Sequence, residues 1–295
     1  MTVLLTGATG NLGPHIAAAL ARRGAGVRAL VRDPESAASR LPGEVELVRG
    51  DFLDEGRLAS ELGAAGSLLL LTPHGPEMAA VQIALIGLAA GAGTRIVKVS
   101  GTSAGIRPDG PDACRQHYVV EQHLVTAGVP WAVVRPNGFM QTVLPALAQS
   151  VRDKGLVANP IGTAGVSIVD CADLGEAIAV VLMDRSHDGC RHVLTGPEAP
   201  TFSEIAATIQ AEIGRSVDIV DVTPGQAGAA AAARGASTWE ARHLTEMLTL
   251  FRTGASENVT ADLQHLVGRP PRTVAEFVRE HRELFTCRPG PGAGP

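Results

Sequence analysis

Lysine is nearly absent from this chain. Of its 25 lysine and arginine residues only Lys98 and Lys154 are lysine. With alanine abundant, this reads as the coding bias of a GC-rich genome and says nothing about chemistry. Cysteine is scarce too. Cys114, Cys171, Cys190 and Cys287 are scattered with no C-x-x-C spacing, which argues against structural zinc or a disulfide framework and for a reducing, cytoplasmic compartment. No cluster has metal-ligand spacing, so no metal is expected. Long apolar runs are missing, which excludes a membrane span, and the N-terminus reads as a strand rather than a signal peptide. A net charge of −5 gives no basic footprint for nucleic acid. What is left is a globular chain of 295 residues, 45% apolar and 19% charged, without internal repeats. It is long enough to bury a large core as one domain or as one and a half.

The first thirteen residues hold the strongest positive signal. Thr2-Val3-Leu4-Leu5 is a short apolar run, Thr6-Gly7-Ala8-Thr9-Gly10-Asn11-Leu12-Gly13 follows at once, and a helical pattern runs from about His15 to Arg23. Strand, glycine-rich turn and helix in that order are what a dinucleotide diphosphate needs. Gly7 allows the tight turn, Gly10 lets the diphosphate approach bare backbone, and Gly13 lets the helix pack close on the strand. Thr9, Asn11 and Leu12 complete the expected cradle. The spacing is G-x-x-G-x-x-G rather than the more familiar G-x-G-x-x-G, and it is the strand-before, helix-after context that gives it weight.

Further apolar runs at Val27–Val31, Val45–Val48, Ser67–Thr72, Arg95–Ser100 and Trp131–Arg135 alternate with helical patterns such as Met78–Ala90 and Cys114–Ala127. This alternation predicts an α/β fold with a Rossmann-like, doubly wound parallel sheet, its ligand crevice at the carboxyl ends of the strands. After about Val151 the pattern loosens. Strands are expected at Val166–Val169, His192–Thr195 and Val217–Val222, and helices at Asp170–Met183, Phe202–Ile213, Trp239–Phe251 and Val274–Phe285. Pro224 to Gly235 reads as a helix or mobile lid. The expected organisation is a cofactor-binding domain over 1–150, a smaller substrate-covering lobe over 151–286 interwoven with the sheet, and a frayed Pro/Gly-rich tail over 287–295.

The strand tips suggest which dinucleotide is bound. An NAD site usually places a carboxylate at the tip of the second strand. Here the tip is Val31 and Arg32 follows, a residue that can pair with a 2′-phosphate and stack on adenine. This favours NADP(H), the competing reading being a surface arginine. Asp33 before Pro34 reads as a helix cap. Asp51, after the third strand, is placed to accept from the adenine amino group, with Phe52 against the ring. Leu71, Thr72 and Pro73, after the fourth, are expected beside the nicotinamide ribose, with His74 facing the substrate.

Taken together these elements resemble the NmrA-like branch of atypical short-chain dehydrogenase/reductases. The matching pieces are TGATGNLG at 6–13, LVRDP at 30–34, GDFLD at 50–54 and VKVSG at 97–101. To these add HYVVEQHLVTAGVPWAVVRPNGFMQ at 117–141, VSIVDCADLGEAIAVVL at 166–182 and GRPPRTVAEFVREH at 268–281. The resemblance implies a Rossmann-like domain binding NADP(H), with substrate held between it and a small C-terminal lobe. The family includes quinone and ketone reductases as well as cofactor sensors that regulate a partner without turnover.

One departure from the pattern matters most. Active short-chain reductases use Tyr-x-x-x-Lys, in which the lysine lowers the tyrosine pKa. This chain has one tyrosine, Tyr118, and Gln122 stands four residues later. In the register set by Glu121 and Gly128-Val129-Pro130, the lysine position is His117 and the tyrosine position Ala113. Either way the dyad is broken. His117, whose imidazole titrates near neutrality, Tyr118 acting alone, or the substrate's own hydroxyl then remain as proton sources, and Ser100 or Ser103 can hold a carbonyl oxygen. His117 and Glu121 share one helix face at i and i+4, which also fits a surface ion pair or a ribose contact from His117. The resemblance further places Asn137, Phe139 and Met140 beside nicotinamide and substrate. Trp239, His243, Met247 and Phe251 fall near helical spacing, either as a second apolar wall or as plain core. Asp170 and Asp173 read as helix caps.

The function expected from this is an NADPH-dependent reductase of a fairly apolar carbonyl, quinone or aromatic polyketide-like small molecule, working as a monomer or homodimer, with secondary metabolism as its setting. A cofactor sensor that docks on a protein partner is the alternative, and an epimerase or dehydratase that borrows the cofactor is a third choice.

Overall fold

The structure is a computed structural model and describes residues 1–52 and 54–286. Its first part alternates β1 (Thr2–Leu5), α1 (Gly13–Arg22), β2 (Gly26–Val31), α2 (Pro34–Ala38), β3 (Glu46–Arg49), α3 (Glu55–Ala64) and β4 (Ser67–Leu70). It continues through α4 (Met78–Gly91), β5 (Arg95–Val99), α5 (Asp112–Val125) and β6 (Trp131–Pro136). Beyond these come α6 (Met140–Lys154), β7 (Leu156–Asn159), α7 (Cys171–Met183), β8 (Arg191–Leu194), α8 (Phe202–Ile213), β9 (Asp218–Asp221) and α9 (Pro224–Ala233). The last helices are α10 (Thr238–Arg252), α11 (Asp262–Val267), α12 (Val274–Glu280) and α13 (Glu283–Thr286).

Seven strands form one sheet in the order β3-β2-β1-β4-β5-β6-β8, every neighbouring pair parallel. A parallel sheet covered on both faces needs strands that are apolar throughout, and every residue of β4 and β5 is buried. On one face Leu4, Leu68, Leu70, Ile96 and Val133 meet Leu58 and Leu62 of α3, Leu85 and Ile86 of α4, and Val120 and Leu124 of α5. Each such side chain contributes roughly 1.5–3 kcal/mol when removed from water, so this layer holds the strand tips in fixed positions. β1 lies between β2 and β4, and the strand order reverses there. That switch point is where an open α/β sheet takes its ligand.

The chain divides into two compact units. The sheet unit comprises Met1–Asn137, Cys171–Leu194 and Thr260–Pro270, and the second unit takes Gly138–Asp170, Thr195–Val259 and the residues from Pro271 onward. The first change of unit comes after Asn137, and the sheet unit includes β8 and α7. The second unit has its own core, in which Met140, Leu144 and Val151 of α6 pack with Phe202, Ile205 and Ile209 of α8 and with Phe277 and Phe285. Four of its helices open on capping boxes, Thr201/Glu204, Thr223/Gln226, Ser237/Glu240 and Thr273/Glu276, each worth about 1 kcal/mol.

Three elements differ from expectation. Val166–Val169 is not a regular strand, and its ladder is limited to single bridges, Phe139 with Val169 and Gly165 with Thr201. The segment is tied to a loop instead, the Ser167 amide donating to the Ser256 carbonyl at 3.1 Å and its hydroxyl to the Asn258 carbonyl at 2.9 Å. The single helix expected over Val274–Phe285 is two short ones, α12 and α13, interrupted at His281, where φ is −117°. α6 has no counterpart among the expected elements because Pro145, a residue that opposes helix interiors, lies inside it. The expected frayed tail, 287–295, lies outside the described residues. Among the described residues no helix is long and apolar enough to cross a membrane and no group of three or more His, Cys, Asp or Glu is arranged to hold a metal.

Candidate active site

The glycine loop joins the end of β1 to the start of α1. Its anchor is Thr6, fully buried, whose hydroxyl lies 2.8 Å from the Leu69 carbonyl and accepts from the Leu71 amide at 3.0 Å. This clamps the loop to the tip of β4. Gly7 has φ +66°, where L residues are strained, and a Cβ there would lie 2.6 Å from the Leu71 carbonyl oxygen. A Cβ on Gly13 would lie 2.4 Å from the carbonyl oxygens of both Gly7 and Ala8. Both glycines are therefore required by the fold. α1 is preceded by Leu12, which offers no side-chain cap, and carries no acid in its first turn. Its N-terminal amides and dipole are left to an anion. Bare backbone of this shape fits a dinucleotide diphosphate.

A cavity of about 370 Å³ opens beside the loop. Eight of the residues singled out in the sequence line it. Gly7 and Thr9 come from the loop, Arg32 from the tip of β2, Asp51 and Phe52 from the end of β3, and Thr72, Pro73 and His74 from the end of β4. Arg32 is exposed. Asp33 does not compete with it for a ligand, since its carboxylate caps α2 by accepting from the Glu35 and Ser36 amides at 3.1 and 3.3 Å. Gly10 and Asn11 are exposed on the loop, Leu12 is buried and offers only backbone, and Leu71 is half-buried beside Thr6. Asn137, buried, directly follows β6, its backbone amide donating to the Leu194 carbonyl at 3.0 Å.

Behind the cavity lies a buried polar cluster that the sequence did not reveal. Lys98, one residue before the end of β5, is 0% exposed. Its Nζ lies 2.6 Å from Gln82 Oε1, 3.0 Å from His117 Nδ1 and 3.3 Å from the Val99 carbonyl oxygen. Gln82 Nε2 donates to Thr72 Oγ1 at 2.7 Å. His117 Nε2 is 3.3 Å from His74 Nε2. A chain of contacts thus runs from the interior of the sheet to the cavity wall. Two signals point to it in retrospect. Lys98 interrupts the apolar run of β5 between Val97 and Val99, and Gln82 is the one polar side chain in the apolar helix α4.

Glu121 is not the partner of His117 that the i, i+4 spacing suggested, and neither residue is at the surface. Glu121 is 1% exposed and takes hydrogen bonds from Arg135 Nε at 3.1 Å and Nη2 at 2.6 Å, from Arg191 Nε at 3.3 Å and from the Ser100 hydroxyl at 2.7 Å. Burial pushes its carboxyl up. The hydrogen bonds from Arg135 and Ser100, with the charges of Arg135 and Lys98, outweigh that and hold it below its ordinary value. Ser100 commits its single hydroxyl proton to Glu121, which leaves it no proton to donate to a substrate oxygen. Tyr118 is half-buried and, among the described residues, finds no hydrogen-bond partner. Phe139, Met140, Trp239 and Met247 all belong to the second unit. Phe139 is half-buried at the start of α6. Met140 is fully buried in that unit's core, where the other core side chains surround it. Trp239 stacks on His243 at 5.0 Å along α10, and Met247 lies half-buried on the same helix.

Lys98 gives the cluster a pH signature. Burial drives its ammonium down, against the pull of Glu121, to about 7 from an ordinary 10.5. Below pH 7 both folded and unfolded chains keep the proton. Between 7 and 10.5 the unfolded chain holds more protons than the folded one, so stability rises with pH across that window. The thermal midpoint of the wild type should therefore climb from pH 7 to pH 9 relative to that of Lys98→Met. A constant difference across that range would show that Lys98 does not titrate there.

A doubly wound parallel sheet with a glycine loop after β1 and a cavity at the strand switch defines a dinucleotide-binding Rossmann protein. A family model described as the NmrA-like family matches residues 1–278. The chain is 31% identical over 284 residues to an NAD(P)H azoreductase of Xenophilus azovorans, covering 96% of this chain and 99% of that one. It is 33% identical over 284 residues to a (4-alkanoyl-5-oxo-2,5-dihydrofuran-3-yl)methyl phosphate reductase of Streptomyces griseus, with the same coverage. Among solved structures, an NADPH-dependent quinone oxidoreductase from Escherichia coli superposes with a TM-score of 0.83 at 25% identity, covering 94% of this chain and 98% of that one. The chain belongs to the NmrA-like family.

Proposed function

We propose that the protein is an NADPH-dependent reductase of a fairly apolar small molecule with a reducible carbonyl, a quinone above all. One observation carries this reading. The glycine loop, Arg32 and His74 face a single cavity, so an anion-binding backbone, a cation suited to a 2′-phosphate and an acid–base group stand together. The names of the relatives support the same class of chemistry.

When bound, NADPH supplies the hydride. The residues of the chain do the rest. Amides of the loop from Gly7 through Thr9, Gly10, Asn11 and Leu12 to Gly13 hold the diphosphate. Arg32 pairs with the 2′-phosphate. Asp51 and Phe52 frame the adenine, while Leu71, Thr72, Pro73 and Asn137 flank the nicotinamide ribose. His74, backed by His117, faces the substrate oxygen and holds the proton it needs.

Arg32→Ala should weaken NADPH binding by about 10- to 100-fold, the loss of a charge-assisted contact of roughly 1.5–3 kcal/mol, and leave NADH binding within about twofold. Equal loss for both cofactors by calorimetric titration removes the role. The reductase reading itself is tested by incubating the protein with NADPH and a panel of quinones, aromatic ketones and azo dyes while following the reduced-nicotinamide absorbance. Consumption that depends on one acceptor class supports it. Tight NADPH binding with no consumption favours a cofactor sensor.

A further inference from the structure

Lys98 has three polar partners within 3.3 Å and no contact with solvent. An ammonium has three hydrogens and no acceptor, and the partners are three acceptors. The orientation of Gln82 is set by Thr72, which takes the Nε2 hydrogen and leaves Oε1 facing Lys98. With Lys98 donating to His117 Nδ1, the neutral ring keeps its proton on Nε2. That nitrogen faces His74 Nε2, the two rings meeting edge to face at 5.4 Å and 70°. His74 then accepts on Nε2 and holds its own proton on Nδ1. His74 is exposed and forms part of the cavity wall.

The ionisable groups facing Lys98 are few. α5 contributes His117 and Glu121, and α4 contributes only the neutral Gln82. Glu121 is itself held by Arg135 from β6 and Arg191 from β8. His117 in turn meets His74 from the loop after β4.

We propose that Lys98, His117 and His74 form a proton relay from the interior of the sheet to the cavity, Lys98 being the buried proton store and His74 the donor to the substrate. The inference rests on the reductase reading for the origin of the hydride, which the bound dihydronicotinamide supplies. The substrate oxyanion takes the proton from His74 Nδ1, so an O–H bond forms and an N–H bond breaks. His74 Nε2 takes the proton of His117 Nε2, and His117 Nδ1 takes one from the Lys98 ammonium. One proton has then crossed, Lys98 is a neutral amine, and both imidazoles have exchanged tautomers. Lys98 and His117 are positioning and relay residues, and His74 alone touches the substrate. Burial brings Lys98 to about 7, so both of its protonation states exist near neutral pH.

The first test reads the relay without turnover. Nitrogen-15 imidazole spectra of the wild type should show the His117 proton on Nε2 at pH 6 and on Nδ1 at pH 9. The switch should vanish in Lys98→Met. One unchanged tautomer at both pH values in the wild type overturns the relay, and this comparison stands even where Lys98→Met fails to fold. The second test uses two acceptors. A quinone needs a proton with the hydride, whereas a cationic triphenylmethane dye becomes neutral by hydride addition and needs none. In Lys98→Met and in His74→Gln, a change at an exposed position, quinone turnover should fall on the order of 100-fold further than dye turnover, as for loss of a general acid. An equal fall for both acceptors, or no fall for either, overturns the proposal. A wild type that reduces neither acceptor removes the reductase reading, while the tautomer spectra still decide the relay.

Discussion

Glu121→Ala is expected to lower the free energy of unfolding by about 3 kcal/mol, the lower end of the roughly 3–5 kcal/mol seen when one partner of a buried ion pair is removed. The carboxylate is 1% exposed and collects four hydrogen bonds from Arg135, Arg191 and Ser100. Removing it leaves two guanidinium groups and a hydroxyl without their acceptor. The cost falls at the lower end because the Arg135 and Arg191 side chains keep 20% and 36% of their exposure and can turn to water. Urea unfolding should show the midpoint moving with an unchanged slope. A loss under about 1 kcal/mol would mean that the arginines are already solvated. The effect also has a pH sign. The folded carboxyl is held below its ordinary 4.5, so its contribution is complete above pH 4.5 and is lost as pH falls through the lower folded value. The wild type should therefore lose its advantage over Glu121→Ala in acid.

Gly10→Val is expected to abolish cofactor binding while leaving the fold intact. The three glycines of the loop differ in what surrounds them. A Cβ on Gly7 or Gly13 would strike backbone carbonyls at 2.6 and 2.4 Å, whereas at Gly10 it would meet only the Gly7 carbonyl oxygen at 3.4 Å, an ordinary contact. Gly10 is exposed and does not have positive φ. Nothing in the protein itself requires glycine there, whereas the diphosphate contact proposed above does. NADPH affinity should fall by about 100-fold or more, from the roughly 1–3 kcal/mol of overpacking plus lost amide contacts. The thermal midpoint should stay within about 2 °C, as for a surface substitution of under 0.5 kcal/mol. Retained affinity would place the diphosphate elsewhere. A collapse of stability would make Gly10 a folding residue like its neighbours.

Local features were legible in the sequence. The strand, glycine turn and helix of residues 2–22, the residues at the tips of β2, β3 and β4, and the Asp33 cap all follow from short-range rules of spacing and turn chemistry. Each involves groups within a few residues of one another. Pairings between elements were not legible. His117 and Glu121 are neighbours on one helix, yet the fold gives His117 to Lys98 of β5 and His74 of the β4 loop, and Glu121 to arginines of β6 and β8. A residue's partner across a sheet depends on strand order and register, which periodicity does not contain. Lys98 shows the point most clearly. In composition it was one of two lysines in a lysine-poor chain. In the fold it is fully buried, with its Nζ 3.0 Å from Nδ1 of His117 on the neighbouring helix.

The measurement that bears most directly on the reductase reading follows the hydride itself. NADPH bearing deuterium at C4 of the nicotinamide is incubated with the protein and a quinone or ketone acceptor, and the products are weighed by mass spectrometry and examined by deuterium NMR. For a ketone, one deuterium per molecule of alcohol should appear on the former carbonyl carbon. For a quinone, deuterium should leave the cofactor in proportion to hydroquinone formed. Full retention of deuterium in a cofactor that binds tightly, with every acceptor recovered unchanged, would contradict hydride transfer and leave the cavity as a site that only holds the dinucleotide.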